Sequence, residues 1–501
     1  MTSSSPPDAE AQAASGTSMA DLRTDVGNAR RLVHRHGDNI RYVAEWDAWL
    51  TWNDVKDRWE HDRDGAIVRL AEETTLSMLS QALSLNNQND RDQLLKHAMR
   101  SQAEARIRAM INLAKAEHGI TIPAEQLDAD PWLLGVKNGA VELKTGAFRL
   151  ARRSDLITKC AGVAYDAAAD CPCWKQFLAT VTANDVDLQH YLQRVIGYVL
   201  TGSVREEAMW VLYGSGRNGK STFRETIHDL IGTYSLAGDA TLMVERKTPG
   251  SASEEIARLK GKRFIAVNET AENDQLNESR LKFITSQDMI TARNLYGHFF
   301  DFFPTHKLFL TTNHKPVVRG TDEGIWRRLQ LVPFVVSINP NAVERDFREK
   351  RLVPELPGIL NWALTGLSDY LTHGLNPPGS VLASTQEYRS DMDVVGQWIA
   401  ERCRAEQGAS MPSGHAYNDY QTWANEELGW SLTKLKFRRH LTDRGFTAAK
   451  GTGGTRLILG LRLKNAAEIG PVETLADGSV VYDDRVVPRP AEVNDDGGAR
   501  L

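Results

Sequence analysis

The stretch GSGRNGKST, Gly214 to Thr222, lies between the apolar run AMWVLY and the segment FRETIHDLI, and this order constrains the fold more than any other feature of the chain. An apolar run of strand length that passes through a glycine-rich turn into a helix suits a sheet covered on both faces by crossover helices. Gly214, Gly219, Lys220 and Ser221 stand at the spacing of a phosphate loop. The glycines let consecutive N–H groups turn inward at a helix N-terminus, where the dipole also favours an anion. Lys220 would neutralise the outer phosphates of a nucleotide, and Ser221 would ligate magnesium. The expected binding set is Gly214, Ser215, Gly216, Arg217, Asn218, Gly219, Lys220, Ser221 and Thr222, with ATP and Mg2+ as cofactors.

Hydrolysis needs an acid that polarises water and helps hold the metal. RFIAVNET offers Glu269 just past a strand from Arg263 to Asn268. Asn268 stands where an aspartate is common, so Glu269 is expected to act alone or with Glu272. A further strand, KLFLTTN, ends at Asn313, whose amide can bond both an attacking water and a phosphate oxygen. Beyond it, GTDEGIWRRL places Arg327 and Arg328 before the apolar run LVPFVV. These arginines are either surface charges or groups that reach a neighbouring subunit's site.

From Ala208 to about Val336 strands alternate with helices, and the flanks read differently. Residues 1–20 are small and polar, without the basic start and apolar middle of a secretory signal, and read as a disordered leader. Residues 21–205 combine aromatic strand candidates (RYVAEWDAWLTW) with helical runs, the clearest being a single helix from Leu94 to Gly119. In GVKNGAVELKTGAF the Asn138-Gly139 pair marks a hairpin, with Val136, Val141 and Leu143 in its strands. Residues 341–405 read as helical. No window approaches the roughly 18 apolar residues of a membrane span, and the expected location is the cytoplasm. Cys160, Cys171, Cys173 and Cys403 are too few for a disulfide framework, and Cys171-Pro172-Cys173 lacks the spacing of a zinc pair.

The net charge of −5 hides a segregation: Ser431 to Lys464 carries nine Lys or Arg against one acid, and Asn465 to Leu501 carries eight acids against three Arg. The basic stretch TKLKFRRHLTDRGFTAAKGTGGTRLILGLRLK reads as a recognition helix followed by a two-stranded wing. Residues 411–465 are therefore expected to form a winged-helix domain that contacts DNA through Lys434, Lys436, Arg438, Arg439, Lys450 and Arg456. Residues 466–501 are expected to be an acidic, disordered tail able to compete for that basic face.

In order, GSGRNGKST, FIAVNET, DMITARNLYGHFFDFFP, KLFLTTNHKP and RGTDEGIWRRLQLVPF closely resemble the motifs of superfamily 3 helicases. More narrowly they resemble the C-terminal part of phage and plasmid primases of the satellite-phage type, related to the poxvirus primase-helicase. PWLLGVKNGAVELKTG, YDAAADCPCWKQFL and YLQRVIGYVLTG look like the helical domain that precedes the motor in that family, and TDVGNARRLVHRHGDNIRYV and ELPGILNWAL also fit. The resemblance implies an α/β fold with an AAA+ type P-loop ATPase core over 206–340, completed by 341–405. It implies a ring, usually a hexamer, around single-stranded DNA that moves 3′ to 5′ and acts on forked DNA. In that family Gly214 to Thr222 corresponds to Walker A, Glu269 to the Walker B acid and Asn313 to the sensor. Arg327 and Arg328 match the trans-acting finger, with Arg328 the favoured one. The hairpin ITARNLYGHFFDF projects into the family's pore, which makes Arg293, Tyr296 and His298 candidate DNA contacts.

The leading expectation is an ATP-dependent helicase for replication of a phage, prophage or plasmid in a bacterial host. Two others share the sequence: an origin-binding initiator with an ATPase switch, and a primase or the partner of a separate primase. Intrinsic priming would need paired metal-binding carboxylates, for which Asp128 and Asp130 are the sole close pair in the right region.

Overall fold

The computed structural model describes residues 23–245, 252–268, 274–293, 297–320, 322–339, 344–451 and 454–465, with 468, 473–474, 480–482 and 485–487. The fold mixes helices and sheets in two compact units, Met1–Lys315 with Arg327–Leu382, and Pro316–Trp326 with Ala383–Leu501.

The first unit begins with α1 (Asp25–His36), β1 (Ile40–Val43), β2 (Ala48–Asn53), β3 (Arg58–His61), α2 (Ala66–Leu83), α3 (Gln88–Ser101), α4 (Glu104–Ala114) and β4 (Thr121–Ile122). Thr24 caps α1 by accepting from the Gly27 N–H at 3.0 Å. The strands form one sheet in the order β3-β2-β1-β4. The single helix expected from Leu94 to Gly119 is instead two. Leu94 and Ala98 of α3 pack with Met78 and Ala82 of α2, whereas Ile107 and Met110 of α4 pack with Ala29 and Leu32 of α1. One straight helix cannot present its apolar stripe to both partners, so the chain breaks at Gln102 and Ala103. Asn28 of α1 marks the junction, donating through Nδ2 to the Ser101 hydroxyl at 2.9 Å.

Next come the antiparallel strands β5 (Leu133–Val136), β6 (Gly139–Glu142) and β7 (Ala147–Arg149), then α5 (Pro172–Val181) and α6 (Val186–Leu200). The hairpin is present, with the turn one residue earlier than expected. Val136 pairs with Gly139, leaving Lys137 and Asn138 as the loop. Gly139 has φ of 151°, and a Cβ there would lie 2.4 Å from the Arg149 carbonyl oxygen.

The rest of the unit is β8 (Met209–Tyr213), α7 (Lys220–Ile231), β9 (Ser235–Gly238), α8 (Ala252–Ala257), β10 (Phe264–Asn268), α9 (Glu278–Ile284), β11 (Ile290–Arg293), β12 (Phe299–Phe302) and β13 (Lys307–Thr312). After α10 (Glu323–Trp326), which belongs to the second unit, it closes with β14 (Leu329–Pro333) and α11 (Leu356–His373). The apolar runs WVLY, RFIAVN and KLFLTTN are strands, as their composition predicts. Five parallel strands form a sheet in the order β14-β8-β13-β10-β9. Parallel strands need crossovers, which place helices on the faces and explain why β13 is buried throughout. Helices α6 and α11 approach closely through glycine: a Cβ on Gly366 would lie 2.1 Å from the Gln193 carbonyl oxygen. At the amino edge of the sheet, buried Arg263 donates to the Leu133 carbonyl at 2.8 Å and to that of Leu200, and buried Lys307 donates to the Thr201 carbonyl.

Beside Lys307, the His306 ring is 3 % exposed and its Nε2 donates to the Ile284 carbonyl at 2.9 Å. Burial pushes its pKa from 6.5 down to about 4. The imidazole is neutral when folded and protonates first in the unfolded chain, so its contribution to stability is complete above pH 6.5 and declines as pH falls toward 4. The loss is at most about 1.4 kcal/mol per pH unit. Urea unfolding at pH 4.5 to 7 should show this slope in the wild type and a flatter one in His306→Gln; equal slopes would count against it.

The second unit contains the end of α12 (Gly379–Asp391), then α13 (Val394–Arg402), β15 (Cys403–Pro412), α14 (Ser413–Leu428), α15 (Lys434–Asp443), β16 (Ala448–Lys450) and β17 (Arg456–Leu463). Its core stacks Tyr420 on Phe437 at 4.6 Å, with Trp398 edge-on to both. The sheet order is β15-β17-β16. The strand β15 is absent from the sequence expectation, which ran the helical region through 405. Its register shifts between Ala405 and Ser410, and Gly408 has φ of 86°. The bulge breaks the period-two alternation by which an edge strand would be recognised.

Candidate functional site

The loop from Gly214 to Gly219 leaves the carboxyl end of β8, the strand flanked by β13 and β14. In open parallel sheets ligands bind outside the carboxyl ends of the strands. The loop holds three residues at positive φ, Gly216 (90°), Arg217 (49°) and Gly219 (84°). A Cβ on Gly214 would lie 2.2 Å from the Phe334 carbonyl oxygen, so only glycine fits where the loop crosses the end of β14. Asn218 fastens the same place, its Nδ2 donating to that carbonyl at 3.0 Å.

Lys220, 4 % exposed, turns back over the loop. Its Nζ donates to the Gly214 carbonyl at 2.6 Å, to Asn218 Oδ1 at 3.0 Å and to Asn313 Oδ1 at 3.0 Å. The structure thus brings together the loop lysine and the amide beyond β13. Among the described residues they border a cleft of about 370 Å³ lined by residues 216–222 and 311–313, none of them a carboxylate. Helix α7 opens on this cleft with no side-chain cap and no acid in its first turn. Thr311 also lines it, and its buried Oγ1 has no hydrogen-bond partner among the described residues. An uncapped helix start, a buried amine and an orphaned hydroxyl suit a polyanion, so the residues present fit a nucleotide. Sequence reasoning missed Thr311, although it belongs to the same TTN as Asn313.

Asn268 ends β10 and pairs in register with Thr311. Glu269 and Glu272 lie outside the described residues, as does Tyr296. Arg327 and Arg328 precede β14, at the amino edge of the sheet, because Leu329 pairs with Met209 while Pro333 pairs with Tyr213. A five-residue strand, about 15 Å, therefore separates them from their own loop. The two differ in environment. Arg328 has a side chain 9 % exposed, bound to Glu207 at 2.7 Å and to the Thr285 hydroxyl at 3.1 Å. The Arg327 side chain is 62 % exposed and meets the same carboxylate at 3.1 Å. The favoured member of the pair is thus the one held inside this chain.

Strands β11 and β12 form a separate antiparallel hairpin. Ile290, Ala292 and Phe302 are buried at its base. Arg293 and His298 are exposed toward its turn, with the Arg293 guanidinium 5.2 Å from the Phe299 ring centre.

In the second unit Thr433 caps α15, and Phe437, His440 and Leu441 face the core. Among the described residues no carboxylate lies within ion-pair distance of Lys434, Lys436, Arg438, Lys450 or Arg456. Arg439 is 4.0 Å from Asp443, Arg444 is bound to Asp393, and Arg462 is bound to Glu406 and Glu468. Glu468 is the described part of the acidic tail that touches this segment, and it meets Arg462 and Arg404.

The Asp128 and Asp130 pair is taken up structurally. Asp128 accepts from the Thr158 and Lys159 N–H groups, the Thr158 hydroxyl and Lys159 Nζ at 2.5 to 3.0 Å. Burial pushes its carboxyl up, but Lys159 and these bonds outweigh burial and hold it below the usual range. Asp130 caps the Trp132 N–H at 2.8 Å. Cys171 is buried and its pKa is pushed up to about 12 by burial, while the helix start beside it is capped by Glu355 through the Cys173 and Trp174 N–H groups. Among the described residues no cluster of His, Cys, Asp and Glu has the arrangement of a metal site, and no helix is long and apolar enough to cross a membrane.

Residues 29–183 match the family described as D5 N terminal like, and residues 212–328 match a family of unknown function. The chain is similar to helicase- and primase-named proteins of large DNA viruses. It is 32 % identical over 300 residues to "Putative helicase L207/L206" of Acanthamoeba polyphaga mimivirus, covering 55 % of this chain and 31 % of that protein. It is 23 % identical over 341 residues to "Putative primase C962R" of African swine fever virus (isolate Tick/Malawi/Lil 20-1/1983), covering 63 % and 35 %. The chain spans about a third of the length of the curated relatives it matches. The apo structure of the NrS-1 C terminal region aligns over 87 % of this chain and 100 % of that one, at TM-score 0.46 and 10 % identity, too low to assign a fold.

Proposed function

We propose that this chain is the motor of a superfamily 3 DNA helicase, an ATP-driven AAA+ ring that unwinds forked DNA 3′ to 5′ in replication of a phage, prophage or plasmid in a bacterial cytoplasm. The observation that carries it is the contact of Lys220 with its own loop and with Asn313 in a cleft fitted to a polyanion. The parallel order β14-β8-β13-β10-β9 and the similarity to viral proteins with helicase names support it.

In this reading the loop N–H groups and Lys220 hold the phosphates of ATP, and the Ser221 hydroxyl and Glu269 hold magnesium. The metal, when bound, neutralises charge that develops on the phosphates. Glu269 polarises the attacking water, and Asn313 orients it. Arg327 and Arg328 serve the neighbouring subunit of the ring, a hexamer, because their own loop lies at the other end of β14. Arg293, Tyr296 and His298 contact single-stranded DNA in the pore. The second unit runs helix, strand, two helices and hairpin, which supports a winged helix binding DNA through Lys434, Lys436, Arg438, Arg439, Lys450 and Arg456. The full set of bonds on Asp128 favours a separate primase over intrinsic priming.

Unwinding of forks carrying a single 3′ or 5′ loading tail, measured beside native mass with and without ATP, tests the proposal. The expected result is ATP-dependent separation of the 3′-tailed fork by a ring; DNA-stimulated hydrolysis that never separates a fork overturns it. The unpaired cations of the second unit also support an origin-binding initiator. That reading predicts a sharp sequence preference, retained in Lys220→Ala.

A further inference from the structure

The second unit contains a cleft of about 190 Å³ between the start of α14, the C-terminal half of α15 and the β16–β17 hairpin. Among the described residues its charged lining is Arg438, Lys450 and Arg456, and no carboxylate lines it. Lys450 and Arg456 are directly opposed across the hairpin. Like charges at opposed positions are destabilising, and a bound anion would offset that repulsion.

Helix α14, 16 residues long, starts at Ser413 behind Pro412, which offers no side-chain cap, and its first turn has no acid. Gly414 follows with open space around it. Ser413 lines the cleft, is 6 % exposed, and its buried hydroxyl has no hydrogen-bond partner among the described residues. A buried donor without an acceptor costs free energy, and here it stands beside uncapped helix N–H groups and three cations.

We propose that this cleft is a phosphate subsite. The start of α14 and the Ser413 hydroxyl donate to the anion's oxygens, and Arg438, Lys450 and Arg456 neutralise it. The occupant is a backbone phosphate of DNA, an assignment that rests on the DNA-binding reading of this unit; free phosphate has the same chemistry. The subsite would fix where α15 sits along a duplex, because a buried hydroxyl and a helix start hold one phosphate at one position, whereas exposed lysines attract the backbone diffusely.

The test uses the full chain, a fluorescein-labelled duplex followed by anisotropy over a salt series, and inorganic phosphate followed by thermal shift at constant ionic strength. Ser413→Ala should weaken duplex binding about tenfold with the salt slope unchanged. Arg456→Ala should weaken it and lower the slope by about 0.9. Lys436→Ala, outside the cleft, should lower the slope equally. Wild-type protection by phosphate should be lost in Ser413→Ala and Arg456→Ala and kept in Lys436→Ala. If Ser413→Ala and Arg456→Ala bind duplex like wild type while Lys436→Ala binds more weakly, the subsite is overturned and the DNA-binding reading stands. If the wild type binds no duplex, that reading fails. Phosphate protection that depends on Ser413 then supports a site for free phosphate, and its absence overturns the site. Arg456 is exposed, so Arg456→Ala keeps the test decisive should Ser413→Ala fail to fold.

Discussion

Lys220→Ala should lower ATP turnover by about three orders of magnitude while leaving the melting temperature near that of the wild type. In the proposed reading the catalytic loss follows from removing the cation that would neutralise the phosphates, and single preorganised electrostatic groups are worth about that much. Stability should change little because two of the acceptors Lys220 leaves behind, the Asn218 and Asn313 side-chain amides, line an open cleft where water can replace the amine. Steady-state turnover with single-stranded DNA, beside circular dichroism melting, checks both parts. Turnover within tenfold of wild type would remove the loop from the chemistry.

Arg327→Ala and Arg328→Ala should fail for different reasons. Arg327 is exposed and shares Glu207 with its neighbour, so its loss should leave the fold intact and reduce turnover of the assembled ring about a thousandfold, the lower range for a trans-acting arginine. Arg328 is buried against Glu207 and Thr285, and its loss should cost about 2 kcal/mol because the carboxylate and hydroxyl lose a charged partner. Mixing Arg327→Ala with Lys220→Ala subunits should recover a fraction of the turnover, since some interfaces then pair an intact loop with an intact arginine. Mixtures as inactive as either parent would rule out action between subunits, and a melting temperature for Arg328→Ala equal to wild type would contradict its structural role.

The site was legible where local chemistry dictates geometry. Gly214, Gly219 and Lys220 stand at a spacing that marks a tight glycine-rich turn from strand to helix, and the strands that lead to the loop and to Asn313 are apolar enough to be seen as buried. Arg327 and Arg328 were visible as a pair but could not be told apart, because burial of one depends on Glu207 and Thr285, 121 and 43 residues away. The structural role of Asp128 could not be read locally because its partners, Thr158 and Lys159, are supplied by a segment about 30 residues downstream. The break at Gln102 and the strand β15 were hidden for a related reason. Helical periodicity continues across a bend that two packing partners impose, and a bulge erases the alternation of an edge strand.

By itself the sequence determined the glycine-rich turn from strand to helix, the apolar strands of the parallel sheet and the concentration of positive charge between Ser431 and Lys464, because spacing, burial preference and charge are local properties. Tertiary structure decided which cations remain without acidic partners, which arginine is free of the core, and that Ser413 brings an unsatisfied hydroxyl to the cleft containing Arg438, Lys450 and Arg456. Those outcomes depend on residues far apart in the chain, whose desolvation and pairing are set only when the elements pack.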